Sequence, residues 1–129
     1  MNTYANFFLP DNFTEFRIQM LNWANRFNIF CFLDNHHYKF GEPAFECLLG
    51  VGSTAQIAAA ADGAAFSKLA EFYRQHPGWL FGHLGYDLKN ELEQLQSSRK
   101  DAIGFADLGF FAPETVLVST TPLALVTLT

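Results

Sequence analysis

The sequence has little basic charge. Its 129 residues include 8 lysines and arginines against 13 aspartates and glutamates, so the net charge at pH 7 is -5. Proteins that bind nucleic acids usually carry a basic patch, because much of their affinity comes from contacts with phosphates. No local cluster of lysine and arginine offsets the acidic balance here. We therefore expect no nucleic acid among its partners.

The chain also lacks a long apolar run and a basic N-terminal region. No stretch approaches the roughly 18 consecutive apolar residues of a transmembrane helix. A secretory signal begins with basic residues, and residues 1–6 contain none. We expect a cytoplasmic protein that does not associate with membranes.

Cysteine is scarce, and metal-binding spacings are absent from the sequence. Cys31 and Cys47 both lie in apolar, strand-like runs, where reduced cysteines pack as small apolar residues in a cytosolic protein. The adjacent His36 and His37 would point to opposite faces of an extended segment. Neither C-x-x-C nor H-x-x-x-H occurs. We expect two core thiols and no metal site or other cofactor in this chain.

Apolar and aromatic residues are abundant, and they recur with the spacing of amphipathic helices in three stretches. The first predicted helix begins at Asn12, where Glu15 completes a capping-box pattern. Proline and glycine at positions 77 and 78 end the second. The predicted apolar faces are Phe13, Phe16, Met20, Trp23 and Phe27 in the first helix, Phe66, Leu69, Ala70 and Tyr73 in the second, and Leu88, Leu92 and Leu95 in the third.

Other stretches have the composition of β-strands. We expect a central strand at 28–33, a short inner strand at 79–81, and a hairpin formed by 45–52 and 54–60. The alanine-rich 54–60 is also compatible with a helix. Residues 109–118 form two short strands, or one strand interrupted by proline, and the apolar tail 120–129 is again prone to form a strand.

This order of elements predicts an α+β fold with a mainly antiparallel sheet and about three helices. The length predicts one domain over residues 1–129. The apolar tail and the long strand-like runs predict unpaired sheet edges, which tend to pair with another chain. We therefore expect the isolated chain to self-associate.

The stretch 82–95 joins a strand to a charged helix through Gly85, where a residue without Cβ permits a bend. Asp87 would cap this helix or lie in its first turn. Glu91, four residues later, would lie on the same helix face as Asp87. With Lys89 nearby, a solvated charged face is a better interpretation than an acid/base pair. We assign Gly85, Tyr86, Asp87 and Glu91 to a structural junction and name no catalytic residue.

Three segments resemble, in order, a family of chorismate-using enzymes. Residues 82–93, GHLGYDLKNELE, are similar to the Gly-Tyr-Asp segment of component I of anthranilate synthase and of aminodeoxychorismate (para-aminobenzoate) synthase. Residues 45–49 resemble an early strand of the family that carries a Leu-Leu pair. Residues 103–114 resemble the segment that follows its acidic helix. Lys89 and Asn90 are closer to the aminobenzoate branch.

The resemblance implies the N-terminal part of the chorismate-using enzyme fold. In this family magnesium, chorismate and the catalytic groups belong to a longer C-terminal domain, which is absent from these 129 residues. The complete enzyme would aminate chorismate for folate biosynthesis, with a glutamine amidotransferase subunit as its partner. This chain alone would be inactive.

Some family members hold tryptophan near a Leu-Leu-Glu-Ser motif, which corresponds here to Leu48, Leu49, Gly50 and Val51. The polar pair is missing, so a buried ammonium group would lack partners, and we expect no tight binding of tryptophan. Two alternatives remain open. The chain is the same domain of an anthranilate or isochorismate enzyme, or it is a free-standing ligand-binding or interaction module.

Overall fold

The computed structural model describes residues 4–8, 11–36, 46–89, 106–120 and 123–128. All strand pairings in this part of the chain are antiparallel, which confirms an α+β fold with antiparallel sheets. The elements are β1 (Tyr4–Phe8), α1 (Phe13–Ala24), β2 (Phe30–Asp34), β3 (Cys47–Val51), β4 (Ala55–Ala59), α2 (Ala65–Gln75), β5 (Phe81–Leu84), a 3₁₀ turn (Tyr86–Leu88), β6 (Leu108–Ala112), β7 (Thr115–Thr120) and β8 (Leu123–Leu128).

The chain divides into two compact units. Unit 1 comprises residues 1–53 and 113–129, and unit 2 comprises residues 54–112. The expectation of a single domain over residues 1–129 stays a prediction. No helix in the described part of the chain is both long and apolar enough to cross a membrane.

Unit 1 contains a five-stranded sheet in the order β1-β8-β7-β3-β2. The apolar tail forms β8, as its composition predicts, and it pairs with β1 on one side and β7 on the other. The tail is therefore not an exposed edge, and the predicted unpaired edge there is wrong. Self-association of the chain stays a prediction. Strand β1, which covers the tail, was not predicted from the sequence.

Helix α1 packs on one face of this sheet. Asn12 caps the helix by accepting a hydrogen bond from the Glu15 amide at 3.1 Å, as predicted. The buried cluster beneath comprises Met20, Ala24, Cys47, Leu49, Val51 and Leu117, with the partly buried Phe16, Trp23, Phe27 and Phe32 around it. The helix ends at Ala24, earlier than predicted, but the Phe27 ring still packs edge-to-face on Trp23.

The strand predicted at 28–33 forms as β2, but it is an edge strand and not a central one. Its residues are half-buried or exposed, and 39% of Phe30 and 52% of Leu33 are accessible to solvent. The apolar composition predicts a strand but does not determine how many neighbours it has.

Strands β3 and β4 both form, but the predicted hairpin between them does not. β3 is paired on both sides, by β2 and β7, so it has no free edge for β4. The chain instead passes from unit 1 to unit 2 between Ser53 and Thr54. Gly52 lies just before this crossing with a φ of +72°, a conformation that favours glycine.

Unit 2 contains a three-stranded sheet in the order β4-β6-β5, with α2 packed on it. The helix covers the predicted stretch and ends just before Pro77. Its Phe66 and Leu69 pack on a cluster of Ala59, Ala65, Leu88 and Leu108. Strand β5 begins at Phe81, later than predicted, and is an edge strand rather than an inner one. Residues 109–118 form two strands, β6 and β7, divided at Pro113.

The third predicted helix is described only at its beginning. Residues 86–88 form the 3₁₀ turn, and Leu88 is buried as predicted. Leu92 and Leu95 lie outside the described residues. Two α-helices are therefore established within the part that the structure describes.

Candidate functional site

The Gly85 junction is built by close approach of two backbone segments. Gly85 has an extended conformation, with φ of -77° and ψ of 156°, which any residue can adopt. Its amide donates a hydrogen bond of 2.5 Å to the carbonyl oxygen of Asp107. A Cβ on Gly85 would lie 2.9 Å from that oxygen and 3.2 Å from the Asp107 Cα. Glycine is needed here for space, so the predicted reason, a bend, is corrected.

Asp107 connects this junction to a second turn. Its backbone carbonyl accepts the Gly85 amide, and its side-chain Oδ2 accepts the amide of Ala61 at 2.8 Å. Ala61 lies between β4 and α2, so one residue just before β6 links the β4–α2 connection to the junction after β5. The sequence signal for Asp107 is weak, because a single aspartate before an apolar strand is common in loops.

The other three predicted junction residues, Tyr86, Asp87 and Glu91, make no such backbone contact that the structure describes. Tyr86 is 80% exposed, and Lys89 Nζ donates to its hydroxyl at 2.8 Å and lies 4.0 Å from the ring centroid. Asp87 is half-buried in the first turn of the 3₁₀ segment. Glu91 lies outside the described residues. The predicted helix face shared by Asp87 and Glu91 therefore stays a prediction.

The strand that corresponds to the family's tryptophan motif is part of the unit 1 sheet. Leu49 and Val51 are fully buried and belong to the cluster beneath α1. Leu48 and Gly50 point to the opposite face, where they pair with Val118 and Val116 of β7. Amide groups of β3 are used in pairing with strands on both sides. The geometry at these four positions is that of a sheet interior.

A polar cluster in unit 1 was not predicted from the sequence. Arg17 of α1 donates through Nη1 to Asp34 at the end of β2, at 3.2 Å, and through Nη2 to Glu46 just before β3. These three side chains are between 11% and 15% exposed. The amide of His36 donates to the other oxygen of Asp34 at 2.9 Å. The sequence signal for this cluster is Arg17 itself, a charged residue beside the apolar face of the predicted first helix.

The cluster ties the helix to two strand ends and lies beside Cys47. Burial raises the pKa of the Cys47 thiol, while the Ser119 hydroxyl and the positive charge of Arg17 oppose that shift. Burial also raises the pKa of Cys31. Both cysteines are free thiols, as expected, and the raised pKa keeps them protonated near neutral pH. They are therefore poor nucleophiles.

Among the described residues, no group of three or more histidine, cysteine, aspartate or glutamate side chains is placed to hold a metal ion. Arg17 is engaged with two carboxylates, and the Asp107 carboxylate accepts a backbone amide. Their arrangement stabilises turns and strand ends.

Comparison with known proteins adds no identification. No protein-family model matches the chain, and a search of curated proteins finds no matching relative.

Proposed function

We propose that this chain is the non-catalytic N-terminal domain of component I of an aminodeoxychorismate synthase. The complete enzyme would use ammonia from a glutamine amidotransferase partner to aminate chorismate in folate biosynthesis. Magnesium and the catalytic groups would belong to a further domain of that enzyme. The proposal rests on the order and spacing of three segments, 45–49, 82–93 and 103–114, that resemble the family.

The observation that carries the proposal is the pairing of two of these segments. Most of strand β5 and the junction after it belong to 82–93, and β6 belongs to 103–114. The two strands are neighbours in the unit 2 sheet, and the Gly85 amide donates a hydrogen bond to the Asp107 carbonyl oxygen where β5 ends and β6 begins. Two stretches that resemble the family separately in sequence thus form one structural piece, which is expected if both derive from one ancestral domain.

The polar contacts support a structural role for this domain. The carboxylate of Asp107 is engaged by a backbone amide, and Arg17 is held between two carboxylates. Catalytic acids and bases need an accessible proton and a pKa suited to transfer. Asp107 instead fixes a turn, and the Arg17 ion pairs anchor α1.

We propose further that this domain does not bind tryptophan tightly. A bound amino acid needs polar partners for its ammonium group, because a buried charge without them is strongly disfavoured. Val51, at the position of the family's serine, is a fully buried apolar side chain. Isothermal titration of the chain with tryptophan should give no saturable heat, with a tryptophan-binding family member as the positive control. A micromolar affinity would contradict the proposal.

Growth complementation tests which branch of the family the chain belongs to. The complete gene that encodes this chain should restore growth of a para-aminobenzoate auxotroph and leave a tryptophan auxotroph unable to grow. Rescue of the tryptophan auxotroph instead would place the chain in the anthranilate branch. Rescue of neither strain, with soluble protein expressed in both, would contradict a biosynthetic role in either branch.

A free-standing module is the second candidate. It is favoured by the separate buried clusters of unit 1 and unit 2, because a chain that buries its own cores can fold without a further domain. A gene that ends after these residues and yields a stable protein would support this candidate over an enzyme domain.

A further inference from the structure

Within the described residues, the backbone hydrogen-bonding groups on the outer edge of β2 pair with no other strand. Asn35 donates to Glu46, and Gly52 donates to Ile29, so residues of odd number in and beside β2 turn their backbone groups toward β3. Residues of even number must turn theirs away. In β2 these are Phe30, Phe32 and Asp34, whose backbone groups make no strand pairing in the described part of the chain.

This edge has few of the devices that usually prevent strands from pairing. Natural edge strands are protected by lysine, proline, bulges or inward-pointing charges. The β2 sequence, FCFLD, contains neither lysine nor proline, and it pairs with β3 in regular register along all five residues. Its one charged side chain, Asp34, is already bound to Arg17 of the same chain.

We infer that β2 is a dimerisation strand, which pairs antiparallel with β2 of a second copy about a two-fold axis at Phe32. In that register Phe32 lies opposite Phe32 of the other copy, and each Phe30 lies opposite Asp34. All the outward backbone groups then gain partners, through six hydrogen bonds. Residues directly opposite point to the same face, so the two sheets continue as one.

The same register is compatible with the charges and the exposed apolar side chains. The two Asp34 residues lie at opposite ends of the paired strands, roughly 13 Å apart at about 3.4 Å per residue. That separation exceeds the screening length of about 8 Å at physiological salt. Leu33, 52% exposed in one chain, comes opposite Cys31 of the other copy. No like charges face each other.

A second copy supplies both backbone partners for this edge and, in its Cys31, an apolar neighbour for the exposed Leu33. The two-fold register makes every outward donor meet an outward acceptor without requiring any sequence other than β2 itself. A standard stable interface buries about 1,200–2,000 Å² of accessible surface, and two paired five-residue strands bury much less. The dimer should therefore be weak and depend on protein concentration. The β2 edge pairs in this way whether or not the chain belongs to a chorismate-using enzyme.

Sedimentation equilibrium of the full chain, from micromolar to millimolar concentration, tests the inference. Wild type should shift from monomer to dimer. Leu33→Lys places a charge on the edge and should raise the dimer dissociation constant by about tenfold or more. Ile18→Lys is the matched control, because Ile18 is similarly exposed but lies on α1. Its dissociation constant should equal that of wild type.

Phe30→Pro provides a second variant with a different mechanism. It removes an outward-facing donor at the first residue of the strand, where proline is tolerated, whereas Phe30→Ala keeps the donor. Dimer formation should be lost in the proline variant and largely kept in the alanine variant. Thermal unfolding by circular dichroism checks that each variant is folded.

Hydrogen exchange identifies the edge directly. Amides of Phe30, Phe32 and Asp34 should gain protection as concentration rises, while those of Cys31 and Leu33 are protected at every concentration by β3. A wild-type chain that stays monomeric at millimolar concentration would overturn the inference. So would a dimer that Leu33→Lys and Phe30→Pro leave intact, or one that protects other amides instead.

Discussion

Leu49 is the position at which the packing account makes its strongest quantitative prediction. Its side chain is fully buried and lies in the cluster that joins α1 to the unit 1 sheet. Leu49→Ala removes apolar contacts and leaves a cavity, and such changes cost about 2–5 kcal/mol of unfolding free energy. Because the helix and the strands both pack around this side chain, the neighbouring residues can move little to fill the cavity. We expect a loss of about 3 kcal/mol.

Urea unfolding followed by circular dichroism measures this loss. With a slope of about 1–3 kcal/mol per molar urea, the midpoint should fall by roughly 1–3 M. Leu33→Ala is the matched control, since it makes the same chemical change on the neighbouring strand at a side chain that is 52% exposed. It should cost no more than about 0.5 kcal/mol. Equal losses at the two positions would refute the assignment of Leu49 to the core.

Three further perturbations test other contacts. Gly85→Ala should destabilise the chain by about 1–2 kcal/mol, because the added Cβ meets the Asp107 backbone, and an unchanged thermal midpoint would contradict the close approach. Arg17→Met should cost about 3 kcal/mol by leaving two mostly buried carboxylates uncompensated, with Arg17→Lys as a milder control. Since burial raises the pKa of the Cys47 thiol above 9.0, the folded state holds that proton more tightly. Its unfolding free energy should therefore fall as pH rises through that value, and fall less in Cys47→Ala when both are followed by urea unfolding.

Local features of the fold were predictable from the sequence. The capping of α1 by Asn12 and the end of α2 before Pro77 depend on side-chain chemistry within a few residues. The division of β6 from β7 at Pro113 has the same local origin. Each of these features is present in the structure.

Strand partners were not predictable in the same way. β3 and β4 are adjacent in sequence, but β3 pairs with β7, and β4 pairs with β6. Those partners come from about 50 or more residues later in the chain, and their composition does not encode which edge they join. Strand β2 was placed at the centre for the same reason, because an apolar run resembles a central strand even when it lies at an edge.

The candidate site was predicted in part. The glycine at the β5 junction could be recognised, but its partner Asp107 could not, because the contact joins residues 22 positions apart through backbone atoms. The cluster of Arg17, Asp34 and Glu46 likewise forms only when a helix and two strand ends come together. Such contacts depend on the tertiary fold and leave little trace in local sequence.

The most direct measurement of the proposed function is a product assay with the protein encoded by the complete gene. Purified protein is supplied with chorismate, magnesium and ammonia, and the products are identified by mass spectrometry. The account predicts aminodeoxychorismate as the product, with no activity from residues 1–129 alone. Anthranilate as the product would contradict the assigned branch, and a failure of the folded protein to consume chorismate would contradict the proposal as a whole.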